Sequence, residues 1–562
     1  MPFFQDPPDL ASGFDDRTLR AFLRRVVPPD VERDIAPSLA AMGARAAGPL
    51  AELARRHRLD EPRHVPFDPW GNRIDRVEVN EAWQKLARVA AEDGLVATAY
   101  ERRHGAFSRL HQLLLVHLFA PSSQTYSCPL AMTDGCARTL ELIATPELRD
   151  RVLPRLISRD PSRAWTSGQW MTERTGGSDV GLSETTARRD ASGAFRLYGT
   201  KWFTSAVTSD VALTLARPEG GGPGGKGLAL FYLRVRDDDG RLNGLTVHRL
   251  KDKLGTRHLP TAELLLDGAI TEPVCGLSDG IRNMSAMLNI TRTWNAVCAV
   301  SGMQRGLFLA RDYAKRRIAF GAPLAEKPLH LETLADLSAD YDAAFGLVFH
   351  QAVLLGKSET GEASPGERAV LAALTPLTKL FTGKLAVASA SEVLECFGGA
   401  GYVEDTGLPA LLRDAQVLSI WEGTTNVLAL EAIRAFARED AWDPTLELVR
   451  RGRAAAREPS LVALAHAVET DAVRAIAWAR EAAGTNRPLV EAGARRFALG
   501  LARAIALALL VEQAEWSLDR EHDRRALFAA RRFGARRDEL PAAYYPESTR
   551  AYALGDAVGG SQ

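Results

Sequence analysis

The chain has 562 residues, with 70 Lys and Arg against 70 Asp and Glu, so its formal net charge is zero. That length predicts roughly three or four structural units and a large buried core, while the charge balance argues against a general nucleic-acid or membrane-surface role and leaves room for local basic patches. Five cysteines, with no C-x-x-C pair and no His/Cys cluster at zinc spacing, predict reduced cytosolic thiols and no structural metal.

The N-terminal MPFFQDPPDL lacks the basic-then-apolar pattern of a signal peptide. No apolar run approaches the ~20 residues of a membrane span, so the expected location is cytoplasmic, with no membrane partner. Residues 1–160 read as an N-terminal helical domain, since EAWQKLARVAAEDGL and GAFSRLHQLLLVHLF space apolar residues by three and four. Residues 161–275 change texture. AFRLYGTKWFTS, DVALTLARP, LALFYLRVR, GLTVHRL and TAELLLDGAI are short, β-branched or aromatic, and bounded by Gly, Pro and Asp. They predict a middle antiparallel, barrel-like β domain. Residues 276–440 return to helical period, with a Gly-rich break at CFGGAGYVEDTGLP. The polar REDAWDPT marks a boundary, and residues 441–562 form an extra Ala- and Arg-rich helical domain. The order gives an α+β, mostly α fold, and excludes the strand–helix alternation of a doubly wound nucleotide-binding domain. EGGGPGGKG, residues 219–227, imitates a phosphate loop. It lacks the Ser or Thr after the lysine, and a strand follows where a helix is needed, so it reads as a hairpin loop.

Three stretches carry chemistry. In GQWMTERTGGSDVG, residues 168–181, two glycines let the main chain approach a flat or anionic ligand beside the hydroxyls of Thr172 and Ser178. The same stretch also reads as a capped turn. In GTKWFTS, Trp202 and Phe203 precede Thr204 and Ser205. An aromatic there can wall a ring cofactor, or Trp202 can be strand core. In SIWEGTTN, Ser419–Asn426, Glu422 fits an S-x-x-E capping box and equally a catalytic base.

With AKRRIAFGAPL (314–324) and CFGGAGYVEDTGLPALLRDAQVLSIWEGTTN (396–426), these motifs lie in an order that resembles the acyl-CoA dehydrogenase family over most of the chain. CPLAMTDG, the TGG wording of the loop, HRLKDKLGTR and the long C-terminal unit resemble its AidB-like branch, which is linked to protecting DNA from alkylation. The resemblance implies an acyl-CoA dehydrogenase fold and FAD as cofactor. Met171, Thr172, Gly177 and Ser178 would meet the isoalloxazine, and Phe203 and Ser205 would wall and hydrogen-bond it. Arg317 and Phe320, with Glu395, Gly398 and Gly399, would hold the adenosine diphosphate part across a subunit interface. Thr424 and Asn426 would also sit on FAD. Ser178, Arg292, Trp421 and Gly423 would lie along the acyl thioester. Three departures stand out: Arg174 where the family has proline, Glu395 where it has glutamine, and Thr291 where some members place the base on a helix.

The implied reaction is α,β-dehydrogenation of an acyl thioester, with Glu422 removing the α-proton and hydride passing to flavin N5. Trp421 and the acyl chain would desolvate Glu422 and raise its pKa. Implied partners are an acyl-CoA or other acyl thioester, three further copies in a homotetramer, and an electron-transfer flavoprotein. Two other functions stay open: a DNA-protective flavoprotein and an acyl-ligand binder with little turnover. For the first, arginine pairs at 524/525, 531/532 and 536/537 predict either a phosphate-tracking helix face or a salt-bridged one.

Overall fold

The computed structural model describes residues 6–485, 487–535 and 546–558. They form two compact units, one of Leu50–Glu101 with Ser122–Trp294, the other of residues up to Pro49, Arg102–Pro121, and Asn295 onward.

In the first of these, a hairpin of β1 (Arg63–Phe67) and β2 (Arg73–Glu78) interrupts the helices. This corrects the all-helical reading of residues 1–160. The Asp68 carboxylate accepts from the Trp70 and Asn72 amides, each at 2.8 Å, and this side-chain turn leaves no trace in hydrophobic period. Seven more strands follow: β3 (Ser167–Trp170), β4 (Thr186–Arg189), β5 (Phe195–Ser205), β6 (Val211–Pro218), β7 (Ala229–Arg234), β8 (Leu245–Leu250) and β9 (Thr261–Pro273). The pairings run β6–β4–β5–β9–β7, and β7 pairs back to β6. Five strands therefore close a ring without free edges, with β3 added on β6 and β8 on β9. Most pairs are antiparallel, while β3 and β4 run parallel to β6. Trp170, Leu197, Phe231 and Leu264 belong to its buried core. The glycine-rich 219–227 stretch joins β6 to antiparallel β7, as a hairpin loop should.

The other unit is helical. Its long members are Ser285–Arg316 (from Asn295 on), Pro328–Thr360, Pro365–Cys396 and Arg487–Arg520. Ser364 and Glu367 close a capping box at the start of Pro365–Cys396, which fixes that helix's register. Pro365–Cys396 and Arg487–Arg520 are long and apolar enough to cross a membrane, but 72% of each apolar window is buried inside the protein. Their apolarity is that of core helices. The REDAWDPT stretch is a tight joint. Helices Thr425–Arg438 and Trp442–Ala455 follow almost directly, Phe436 stacks on Trp442 at 4.8 Å, and Pro444 sits in a first turn, where a missing amide costs little. One buried carboxylate gathers the unit's ends. Asp342 accepts two bonds from Arg525, at 2.8 and 2.9 Å, one from Tyr552 at 2.9 Å and one from Thr18 at 2.5 Å.

His117 has no exposed surface, and Phe345 and Phe349 meet its ring edge-on at 5.6 and 5.5 Å. Burial pushes its imidazole down from 6.5 to about 3. Between those pH values the unfolded chain takes up a proton that the folded chain refuses, so stability falls as pH falls. His117→Leu should remove about 2 kcal/mol of the stability lost between pH 7 and pH 5. Denaturant melts of both proteins across that range measure it, and identical pH slopes would contradict it.

Candidate active site

The expected site residues divide between the two units, and each set is built differently. In the barrel unit, β3 delivers the chain into the loop that follows Trp170. Met171 is buried, and the Thr172 carbonyl accepts from the Trp202 amide at 2.9 Å, which pins the loop to β5. Glu173 is buried. Its carboxylate accepts from Lys201 Nζ at 2.7 Å, Thr185 Oγ1 at 2.6 Å and the Glu184 amide at 2.7 Å. Burial works to raise the Glu173 carboxyl, but Lys201, Thr185 and the Glu184 amide outweigh it and hold the group below the usual carboxylate range. Lys201, wholly buried, also donates to the Leu215 carbonyl at 2.9 Å. A buried ion pair is tolerable only when its remaining hydrogen-bonding groups are met in this way.

Anchored at Glu173, the loop turns back on itself. The Gly176 amide donates to the Glu173 carbonyl at 3.0 Å. Gly176 needs its freedom for conformation, at φ +119° with open space around it. Gly177 needs it for room, since a Cβ there would lie 2.6 Å from Thr172 Oγ1. Residues 174–179, Ser178 among them, are exposed. Nearby in sequence, the β5–β9 register shifts between Lys201 and Thr204. The bulge re-aims Trp202 and Phe203 and leaves Phe203 52% exposed. Lys251 Nζ lies 3.7 Å from the Trp202 ring and 4.6 Å from the Phe203 ring, and Ser205 Oγ is 3.3 Å from Thr261 Oγ1. Arg292 and Thr291 are buried. Two residues on, Trp294 donates to Asp134 at 2.7 Å, as does Tyr100. The CPLAMTDG stretch therefore acts in packing: Asp134 is the acceptor, and a Cβ on Gly135 would lie 2.8 Å from Met287 Cγ.

In the helical unit, Glu422 is not a capping residue. The helix begins at Thr425 with Thr424 as its cap, and Ser419 Oγ is buried without a partner, so no capping box forms. Glu422 instead occupies a tight turn at φ +56°, followed by Gly423 at +105°. A non-glycine residue is uncommon there, and the conformation persists only where the surroundings impose it. Two buried side chains do so. Asn295 donates to the Leu418 carbonyl at 3.1 Å and accepts from the Trp421 indole. Lys379, with no exposed surface, donates to the Gly423 carbonyl at 2.6 Å. Gly383 leaves room for the segment, since a Cβ there would lie 2.7 Å from the Leu418 carbonyl. Sequence reasoning missed Asn295, Lys379 and Gly383; a lysine inside the apolar run TPLTKLF was the available signal. Asn426 accepts from Arg495 at 3.2 Å, so the appended domain already engages it.

Arg317 precedes a minimal hairpin of β10 (Ile318–Ala319) and β11 (Ala322–Pro323). At its tip Phe320, at φ +50°, is 99% exposed. Glu395, Gly398 and Gly399 are exposed at the end of Pro365–Cys396, and Phe397 packs on Tyr313 at 4.7 Å. Among the described residues, two arginines of this set are paired with acids. Arg525 is buried on Asp342, Arg532 makes two 2.8 Å bonds to Glu332, and Arg531 is exposed. Arg536 and Arg537 lie outside the described residues.

Comparison with known proteins gives the class. The chain belongs to the acyl-CoA dehydrogenase family, an oxidoreductase family whose cofactor is FAD. Residues 168–269 match its middle domain, 278–436 its C-terminal domain, 10–161 the adaptive response protein AidB N-terminal domain and 449–551 the acyl-CoA dehydrogenase 11 C-terminal domain-like family. Within the family it is AidB-like. It is 43% identical over 529 residues to acyl-CoA dehydrogenase family member 11 of Caenorhabditis elegans, covering 91% of this chain and 86% of that one. It is 31% identical over 398 residues to the putative acyl-CoA dehydrogenase AidB of Escherichia coli K12, covering 69% and 71%. The crystal structure of Caenorhabditis elegans ACDH-11 in complex with C11-CoA superposes with TM-score 0.91 at 41% identity, covering 95% of this chain and 92% of that one. The residues present fit FAD. The 174–178 backbone is open beside glycines that a Cβ would spoil, and two aromatic rings, Phe203 and Phe320, are left bare on the surface.

Lys201→Met would strand the Glu173 carboxylate in the interior. It should cost about 3–5 kcal/mol of stability, and Lys201→Met with Glu173→Gln should recover part of that loss. Denaturant melts of the two variants check both statements.

Proposed function

We propose that this chain is an FAD-dependent acyl-CoA dehydrogenase that removes the α- and β-hydrogens of an acyl thioester, with Glu422 as the base. The observation that carries the reading is the imposed left-handed turn at Glu422, clamped by Asn295 before it and Lys379 after it. Such strain is maintained where a side chain must be presented at a fixed angle. The Glu422 carboxylate takes the α-proton. The Glu422 amide donates to the thioester oxygen as negative charge develops there. Trp421, the residue before the base, is fixed through its indole to Asn295. FAD, when bound, would supply the acceptor for the β-hydrogen and its electron pair, so that loss of both hydrogens gives a 2,3-unsaturated thioester.

Met171, Thr172, Gly177 and Ser178 line the flavin ring in this reading, with Phe203 as its wall and Ser205 as a polar contact. Arg317 reaches the diphosphate, for which a guanidinium fork is well shaped, and Phe320, Glu395, Gly398 and Gly399 border the adenosine. Thr424 and Asn426 complete the contacts on FAD. Arg292, Trp421, Gly423 and Ser178 border the thioester. Bare apolar side chains at Ile318, Phe320 and Tyr402 support a homotetramer in which these surfaces are covered, in the cytoplasm. The C11-CoA of the Caenorhabditis elegans complex favours a medium-chain acyl-CoA.

Anaerobic titration with acyl-CoAs of graded length should bleach the oxidised flavin spectrum, most readily near eleven carbons. Glu422→Gln should stay yellow and slow that bleaching by roughly 10²–10⁴-fold. A flavin that no acyl-CoA bleaches would replace this reading with acyl-ligand binding, and normal bleaching by the variant would remove Glu422 as the base.

A further inference from the structure

The residues after Asp440 supply none of the reacting groups above, yet the last described helix, Pro546–Leu554, is bonded to segments on both sides of the hairpin that carries Phe320. That hairpin needs help. Its strands have two residues each, and Phe320 and Gly321 both take positive φ, at +50° and +79°. A hairpin this short is not stable alone. Lys327 Nζ is bonded to the Phe320 carbonyl at 3.0 Å, which holds the turn but not its placement.

Placement comes from two arginines pointing in opposite directions. Six residues before Arg317, the buried Arg311 donates Nε to the Ala553 carbonyl at 2.7 Å and Nη2 to Ser338 at 2.8 Å. Two residues after the hairpin, Ala325 is buried, and its carbonyl accepts from Arg550 Nη1 at 2.6 Å. The C-terminal helix is shaped for this. It ends at Gly555 with φ +81°, where a Cβ would lie 3.0 Å from Arg311 Nη1. Tyr552 and Thr549 are buried, and Tyr552 is fixed to Asp342 at 2.9 Å. Elements on both sides of Arg317–Phe320 are thus tied to one helix of the appended domain.

We infer that this C-terminal helix is a brace that positions the Arg317–Phe320 hairpin for the adenosine diphosphate part of FAD, with Arg550 and Arg311 as positioning residues. The inference rests on the reading of Arg317 and Phe320 as FAD contacts. It gives the appended domain a task in cofactor retention, separate from the reacting atoms.

The test uses the full chain as Arg550→Ala, Arg317→Ala and Glu547→Ala, the last an exposed change on the same helix. In apoprotein, Arg550→Ala should speed amide exchange across residues 318–324, while helix Pro365–Cys396 exchanges as before. On reconstitution its FAD dissociation constant should rise about tenfold, the size expected for losing one charge-assisted hydrogen bond. Unchanged hairpin exchange, unchanged FAD affinity, or the same changes in Glu547→Ala would overturn the brace. Arg317→Ala separates the two ideas. If it loses FAD while Arg550→Ala does not, the brace alone fails. If Arg317→Ala binds FAD normally, the underlying reading of the hairpin fails and the brace with it.

Discussion

Lys379 places an ammonium where no water reaches and meets the Gly423 carbonyl at 2.6 Å. A buried polar group costs free energy when a bond it makes is lost, so this contact holds the carbonyl in place. That constraint fixes the chain on the far side of Glu422. The segment cannot relax into the helix that starts at Thr425, and Glu422 is held in a left-handed turn that its own side chain does not favour. Asn295 completes the clamp from the other side through Leu418 and Trp421. In the proposed reaction, a base that must meet a weakly acidic proton gains from such fixed placement.

The barrel unit uses the same device. Lys201, also without exposed surface, is shared between the Glu173 carboxylate and the Leu215 carbonyl. The glycine turn that follows is an outgrowth of that anchor. In each unit a short turn with a left-handed or glycine-only conformation is tied to a buried lysine that donates to a backbone carbonyl. Mobile loops could not offer the same precision.

The appended helices follow a related logic. Asp342 gathers Thr18, Arg525 and Tyr552, so residues far apart in the chain share one buried carboxylate. Arg525 and Arg532 are occupied by acidic partners on Pro328–Thr360. These two cations have little left for a phosphate backbone. Arginine spacing alone cannot separate that arrangement from a nucleic-acid stripe, because the acids that neutralise it lie almost two hundred residues earlier.

By itself the sequence determined the order of helical, β and helical segments, the glycine loop, the aromatic pair on β5 and the glutamate after Trp421. Each is a local pattern of a few neighbouring residues, where turn chemistry and periodicity act directly. Only the tertiary structure decided what holds them. Lys379 meets Gly423 across 44 residues and Asn295 meets Trp421 across 126, distances over which no local pattern carries information. It also decided that Ser419 does not cap, that β1 and β2 interrupt the first helices, and that β3 and β4, four residues each, join a barrel. The physical reason is the same each time: a short segment takes the conformation that satisfies its buried polar groups, and their partners are set by the fold.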